Sequence, residues 1–296
     1  MSSVGVAPPE AAPGTAPTVE SVPRDLRRQR VVVFEAHGDD MEFAAGGTIA
    51  KFIESGHEVS LVVATNNDKG SFELTAGQLR EARDRELHGA ARVLGINQVG
   101  CLGYSDGELM EQAPLPVLRG QFMRIIRELK PDIIFTWDPF APYEGHPDHR
   151  AVAIAAAEAA SFSHFPLYYP EHLREGLAPH YVGEQWFFAK APQDQNKFVD
   201  ISDFIDKKVE ALCQHESQMV LTVQDLQIAL EASGLAVPWL EELDPHDYRN
   251  AIDRQVRAVA HAVGRRHGFE YAEGFRRTRF AGIERLADGQ EPEEHV

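Results

Sequence analysis

VVVFEAHGDDMEFAAGGTIAKF, residues 31–52, contains the change of rhythm on which the fold turns. Its first six residues are apolar, β-branched or aromatic apart from Glu35, and they run on without alternating with polar ones. That is the pattern of a strand covered on both faces, as in a parallel sheet. Further on the apolar spacing becomes helical, and a helix is expected near 44–55. The unit then recurs. Strand-like runs VSLVVAT (59–65), QVGCLG (98–103), DIIFTWD (132–138) and QWFFAK (185–190) are separated by helical patterns near 75–94, 115–130 and 148–160. Such alternation predicts a doubly wound, mostly parallel, Rossmann-like α/β sheet with right-handed crossovers and helices on both faces. After residue 200 the pattern turns helical, near 201–217, 222–232 and 246–267, and these segments are expected to pack on the same sheet. An Arg-rich and then acidic tail is expected from Arg276.

Composition bounds the rest. With 296 residues, 43% of them apolar, the chain can fill a sizeable core. Residues 1–29, rich in Ala and Pro, cannot bury enough surface to offset their ordering entropy and are expected to be a disordered extension. One domain is expected over 30–284, with a mobile acidic tail at 285–296. The basic cluster Arg24 to Arg30 follows the Pro-rich stretch rather than preceding an apolar one, so no export signal is read; no apolar run is long enough for a membrane span. Cys101 and Cys213 lie in apolar patterns without a CxxC spacing and are expected to be reduced core thiols of a cytoplasmic protein. A formal charge of −17 repels phosphate backbones and excludes nucleic acid as a partner, while neutral or cationic ligands are favoured.

The chemistry sits at two strand ends. His37, Gly38, Asp39, Asp40, Met41 and Glu42 follow the first strand, and Glu144, Gly145, His146, Pro147, Asp148 and His149 follow the fourth. Ligands of open parallel sheets bind beyond the carboxyl ends of strands, so both clusters open at the rim where a site is expected. Catalytic zinc is commonly held by three His/Asp/Glu ligands with a fourth position for water. His37 and Asp40 with one histidine of the second cluster make that count. Asp39, free of metal work, can take a proton from water, and the spare histidine can stabilise an oxyanion or protonate a leaving amine.

These residues resemble the LmbE-like, or PIG-L, family of N-acetylglucosaminyl deacetylases over roughly residues 30 to 275. Ala36 to Glu42, followed by Gly46, Gly47 and Thr48, is similar to the family's first motif, and His146, Pro147, Asp148 and His149 match its second letter for letter. The resemblance implies His37, Asp40 and His149 as metal ligands, Asp39 as general base and His146 as oxyanion or leaving-group partner. It implies Zn²⁺ as cofactor, although N/O donors of this kind also accept other divalent ions. Arg83, three residues before Glu86, would face the acyl group or a sugar oxygen. Asp106 would bind sugar hydroxyls and steady Arg83. His215, Ser217 and Gln218 resemble the end of a family helix, and YAEGFRR (271–277) its closing segment. Gly38 stands where the family usually has Pro, which should loosen the turn that aims His37 and Asp40. Glu144 stands where some members have Tyr, and the adjacent Tyr143 is given no catalytic role.

The implied reaction is removal of an N-acetyl group from a small amino sugar of the N-acetylglucosamine type. Within enzymes the alternative is amide cleavage in a thiol-sugar conjugate or an antibiotic intermediate; outside them it is an inactive sugar-binding member of the fold. Homo-oligomerisation is left open. A lone His-x-Asp-Asp would more often be a helix cap, but its pairing with a second His/Asp cluster at another strand end makes chance a poor explanation. The run around Arg83 reads equally well as a solvated helix face with i,i+3 and i,i+4 ion pairs.

Overall fold

The computed structural model describes residues 28–279. Seven strands form its sheet: β1 (Arg30–Glu35), β2 (Glu58–Thr65), β3 (Gln98–Tyr104), β4 (Ile133–Trp137), β5 (Glu184–Phe188), β6 (Lys197–Asp200) and β7 (Ala272–Arg279). The helices are α1 (Asp40–Glu54), α2 (Ala76–Leu94), α3 (Leu109–Gln112), α4 (Leu115–Leu129), α5 (Pro147–Phe162), α6 (Pro170–Arg174), α7 (Ile205–Leu212), α8 (Glu216–Ser233), α9 (Pro238–Glu241) and α10 (Arg249–His267). The strand order is β3-β2-β1-β4-β5-β7-β6, parallel through β5 and antiparallel at β7 and β6.

Helices cover both faces, and β1 shows why. Val31 and Val33 join Met41, Ile49, Leu87 and Leu94 in a core under α1 and α2, while Val32 and Phe34 join Leu118, Phe122, Val152 and Ala156 under α4 and α5. A strand whose successive side chains point to opposite covered faces has no polar side to show. The expected doubly wound, mostly parallel sheet is the observed one. Between β1 and β4 the winding reverses, and that switch point is where such sheets open a ligand crevice.

Several expectations are corrected. Helix α1 begins at Asp40, ahead of the expected 44, so the motif residues Asp40 and Glu42 belong to its first turn. The expected helix over 201–217 is broken, α7 ending at Leu212 and α8 starting at Glu216, with His215 at the junction. QVGCLG lies on an edge strand with the burial pattern of β3 largely open, and Cys101 is exposed rather than a core thiol; only Cys213 is buried. Arg276 to Arg279 are not tail but part of β7, where Arg276 pairs with Asp138 at 2.8 Å and Arg279 with Glu184 at 2.9 Å. The strand was hidden because its charged residues find partners across the sheet instead of forming an apolar run. The expected extension over 1–29 falls outside the described residues up to 27, as does everything from 280, including the expected boundary at 284 and the tail at 285–296.

The Gly46–Gly47 pair also works differently from a simple close approach to the sheet. A Cβ on Gly47 would lie 2.8 Å from Ile201, and one on Gly46 would lie 3.3 Å from Lys208, so the glycines admit the segment leading into α7. Glu273 of β7 accepts the backbone N–H groups of Gly47 and Thr48 at 3.0 and 2.7 Å and pairs with Lys208 at 2.5 Å. A third core, with Ile201, Leu212, Met219, Val223, Ile252 and Val256, joins α7, α8 and α10. Of these helices, α8 and α10 wall the cleft above the switch point.

Candidate active site

Beyond the ends of β1 and β4 lies a cleft of about 750 Å³ with His37, Asp39, Asp40, Asp106, Trp137, His146 and His149 on its floor. Phe43, Leu221, Thr222 and Val259 line its wall. The β1–α1 turn is tight, closed by Asp40 N–H donating to His37 O at 3.2 Å. One oxygen of Asp40, Oδ2, accepts three hydrogen bonds, from the N–H of Ala36 and of His37 at 3.0 Å each and from Trp137 Nε1 at 2.8 Å. That saturation leaves Oδ1 to face the histidines. It lies 3.3 Å from His149 Nε2 and 3.7 Å from His37 Nδ1, and those two nitrogens are 3.1 Å apart.

Donors about 2 Å from a common ion at tetrahedral angles lie roughly 3.3 Å from one another, so this triangle has the size of one face of a metal site. The outer nitrogens are held as metal-binding imidazoles usually are, against carboxylates. His37 Nε2 meets Asp106 Oδ1 at 3.2 Å, and His149 Nδ1 lies 3.1 Å from Glu144 Oε1. Trp137 stacks on His149 with ring centroids 4.0 Å apart. His37, Asp106, His146 and Asp148 also converge. There, however, Asp148 accepts the N–H groups of Gly107 and Leu109 at 2.7 and 3.2 Å, and His146 Nδ1 accepts that of Asp148 at 3.2 Å. Asp148, and His146 through Nδ1, are occupied in shaping the loops; His37, His146 and His149 bring ring nitrogens together, and Asp40 Oδ1 faces those of His37 and His149.

The buried imidazoles and carboxylates shift one another's titration. Burial disfavours charge on His37, yet hydrogen bonding to Asp106, Asp148 and Asp40 overrides it and raises the imidazole pKa well above its usual value. Burial likewise opposes charge on Asp40, but His149 and His37 hold its carboxyl well below the usual range. For His146, burial comes first and the neighbouring His37 and His149 second; together they lower its pKa, so the ring is neutral near pH 7. Since its Nδ1 accepts a hydrogen bond, its proton is on Nε2, toward the cleft.

Asp39 occupies the N-cap of α1 but makes no cap hydrogen bond. Its Oδ1 accepts from Arg83 Nη2 at 3.0 Å. Arg83, far from being a solvated helix residue, is 1% exposed, and its Nη1 meets Glu86 Oε2 at 3.1 Å and His215 Nδ1 at 3.0 Å. Asp106 contacts His37 and approaches His146 Nε2 at 3.8 Å; its neighbours do not include Arg83. Gly38 does not leave the turn loose: its N–H, which Pro would lack, donates to Asn67 Oδ1 at 3.0 Å. Trp137, Asn67 and the wall residues of α8 were not singled out from sequence; Trp137 alone had a signal, its place at the carboxyl end of a buried strand. Tyr143 is exposed, with φ 63°.

A doubly wound sheet with a His/Asp metal-binding group and a spare carboxylate at its switch point defines an α/β protein built for metal-assisted chemistry. The family model described as GlcNAc-PI de-N-acetylase, PIG-L, matches residues 32–160. A diacetylchitobiose deacetylase of Thermococcus kodakarensis is 31% identical over 250 residues, covering 84% of this chain and 82% of that one. A 1D-myo-inositol 2-acetamido-2-deoxy-alpha-D-glucopyranoside deacetylase of a Mycobacterium species is 27% identical, covering 71% of this chain and 80% of that one. The solved N,N'-diacetylchitobiose deacetylase from Pyrococcus horikoshii superposes with a TM-score of 0.70 at 29% identity, over 85% of this chain and 84% of that one. The chain belongs to the PIG-L, or LmbE-like, family.

Proposed function

We propose that this protein is a zinc-dependent N-deacetylase that hydrolyses the acetamide of a small N-acetylated amino sugar of the N-acetylglucosamine type. The observation that carries the reading is the triangle of His37 Nδ1, Asp40 Oδ1 and His149 Nε2, with Asp39 and His146 beside it on the floor of one cleft. The relatives named above act, by their names, on acetylated glucosamine units. A divalent ion held by His37, Asp40 and His149 would act as a Lewis acid on the acyl oxygen and make water more acidic; imidazole and carboxylate donors in a three-membered set suit zinc, although ligand type alone selects weakly.

The residues of the chain divide the remaining work. Asp39 takes a proton from the attacking water through the oxygen that Arg83 leaves open. His146, neutral with its proton on Nε2, donates a hydrogen bond to the oxygen that becomes negative as the carbonyl carbon turns tetrahedral. The proton gathered by Asp39 passes to the sugar nitrogen as the C–N bond breaks, giving acetate and the free amine. Asp106, within reach of the cleft and of His37, supplies an acceptor for a sugar hydroxyl.

Among the described residues no helix is long and apolar enough to cross a membrane. The unpaired Cys101 and Cys213 support a cytoplasmic location. The test is acetate release from a panel of N-acetylated sugars with metal analysis of the same preparation. Asp39→Ala should keep its metal and lose roughly 100-fold or more in kcat. Near-full turnover in that variant would sink the role of Asp39, and metal-loaded protein that releases no acetate from any sugar would move the assignment to another amide.

A further inference from the structure

We propose that the acetylated amino sugar carries an apolar aglycone, an alkyl or aryl group of about six carbons, and that a side pocket of the cleft between β5, β7 and α10 receives it. The inference rests on the deacetylase reading for the sugar and goes beyond it in naming what the sugar is attached to.

The pocket measures about 180 Å³ and is continuous with the cleft, because Phe43, Ala44, Ala189, Lys190, Gln255 and Val259 line both. Past that shared mouth the walls are Phe188, Pro192, Val256, Ala260, Val263 and Ala272. Phe188 ends β5 and Ala272 begins β7, while Val256, Ala260 and Val263 fall on one face of α10 by their spacing. Of these, Phe188, Val256, Ala260 and Ala272 are at most 5% exposed, so the core holds the walls in place before anything binds.

The polar groups that reach the pocket are already engaged. Lys208 pairs with Glu273 and donates to Phe43 O at 2.7 Å, Glu273 accepts the N–H groups of Gly47 and Thr48, and Gln195 Nε2 donates to Gly274 O at 2.6 Å. A polar ligand would give up its water there and find few partners in exchange. An apolar one displaces water that the walls hold weakly. An apolar cavity of about 150 Å³ accommodates a benzene ring, so this one suits a ring or a chain of about six carbons.

The placement of the pocket tells which part of the substrate enters it. Phe188 is the register partner of Trp137 on the adjacent strand, and the two rings meet edge-on with centroids 5.0 Å apart. The pocket therefore opens about one strand spacing, roughly 4.8 Å, beyond the cleft floor. Trp137 stacks on His149 with planes 11° apart, so the way from the reacting carbonyl into the pocket passes around the indole. It also passes Lys190, whose Nζ lies 3.6 Å from Glu144 Oε1 and 5.8 Å from the centre of the indole, leaving an apolar stem at the mouth. A group carried on the sugar spans that detour, whereas an acetyl group at the metal site does not.

The test is a series of alkyl N-acetylglucosaminides, methyl to octyl in both anomeric forms and below their micelle concentrations, read by kcat/KM for acetate release. Each methylene should raise kcat/KM by about 3-fold, the scale of burying one CH₂, up to about six carbons and no further. Val263 lines the side pocket but not the cleft, and Val263→Glu should abolish this dependence, judged by the hexyl-to-methyl ratio within the variant. Val263→Phe, which fills the pocket, serves if the charged variant does not fold. A flat wild-type series, or a slope that survives in the variants, would overturn the proposal. So would a rise confined to longer N-acyl groups on the methyl glycoside, which would give the pocket to the acyl chain. Calorimetric binding of hexyl glucoside, which has no acetamide to cleave, separates this inference from the deacetylase reading. Binding that exceeds that of methyl glucoside and is lost in Val263→Glu supports the pocket even if no acetate is released. Acetate release without any chain-length effect leaves the deacetylase standing and overturns the pocket.

Discussion

At the scale of single residues, the division of labour between the two oxygens of Asp40 does most to define the site. Three donors on Oδ2 fix the carboxylate, and one of them comes from Trp137, 97 positions further along the chain. The same indole stacks on His149 and so restrains two of the three side chains proposed to hold the metal. Outer partners of this kind typically contribute 10–100-fold to metal affinity. Trp137→Phe keeps the ring but loses the N–H, and we expect it to weaken metal binding by about 10-fold in competition with a chelating indicator. Unchanged affinity would mean that the indole N–H only fills space. His37, Asp39, Asp40, His146 and His149 were legible as a set because each pair lies within a few positions of a strand end. Trp137 was not, since what matters about it is a contact across the fold; Arg83 was singled out only through the family resemblance, because its neighbours in the chain read equally well as a solvated helix face.

At the scale of elements, α1 is the piece most constrained by its surroundings. Its first turn presents Asp40 to the site, and its middle donates two backbone N–H groups to the carboxylate of Glu273 and packs against Ile201. Placing a methyl group at Gly47 pushes it to 2.8 Å from Ile201. Gly47→Ala should therefore destabilise the protein by about 1–3 kcal/mol, the usual scale of overpacking, as measured by denaturant unfolding. Adding Ile201→Ala should then cost less than the two separate losses would sum to, because the second change makes room for the first. Strict additivity would show that the clash relaxes elsewhere. The parallel strands and the helices between them were readable from period alone. β7 and β6 were not, because strands paired antiparallel at a sheet margin can be as charged as Arg276 and Arg279 when Asp138 and Glu184 face them.

At the scale of the whole molecule, the proposed metal joins residues from the ends of β1 and β4, the two strands at which the sheet changes its direction of winding. An ion bound there ties the two halves of the fold and must stabilise the folded state by mass action. At free metal about 100 times its Kd the linkage is about 2.7 kcal/mol. Stripping the metal with a chelator should lower Tm by roughly 5–11 °C, and adding zinc back should restore it. A Tm indifferent to both would argue that the triangle of donors holds no ion.

The sequence by itself determined the doubly wound α/β class, because buried parallel strands have to be apolar throughout and their helices amphipathic, and both periods are written locally. It also determined which residues could supply the chemistry, since the two His/Asp clusters sit at strand ends where such sheets open. Only the tertiary structure decided how those residues divide the work. Which oxygen of Asp40 is free, which nitrogen of His146 carries its proton and why Asp39 does not cap its helix all depend on partners contributed by distant segments: Trp137 on β4, the Asp148 amide, and Arg83 braced by Glu86 and the start of α8. Periodicity is a property of neighbours in the chain. Hydrogen-bond saturation is a property of neighbours in space, and it exists only once the chain has folded.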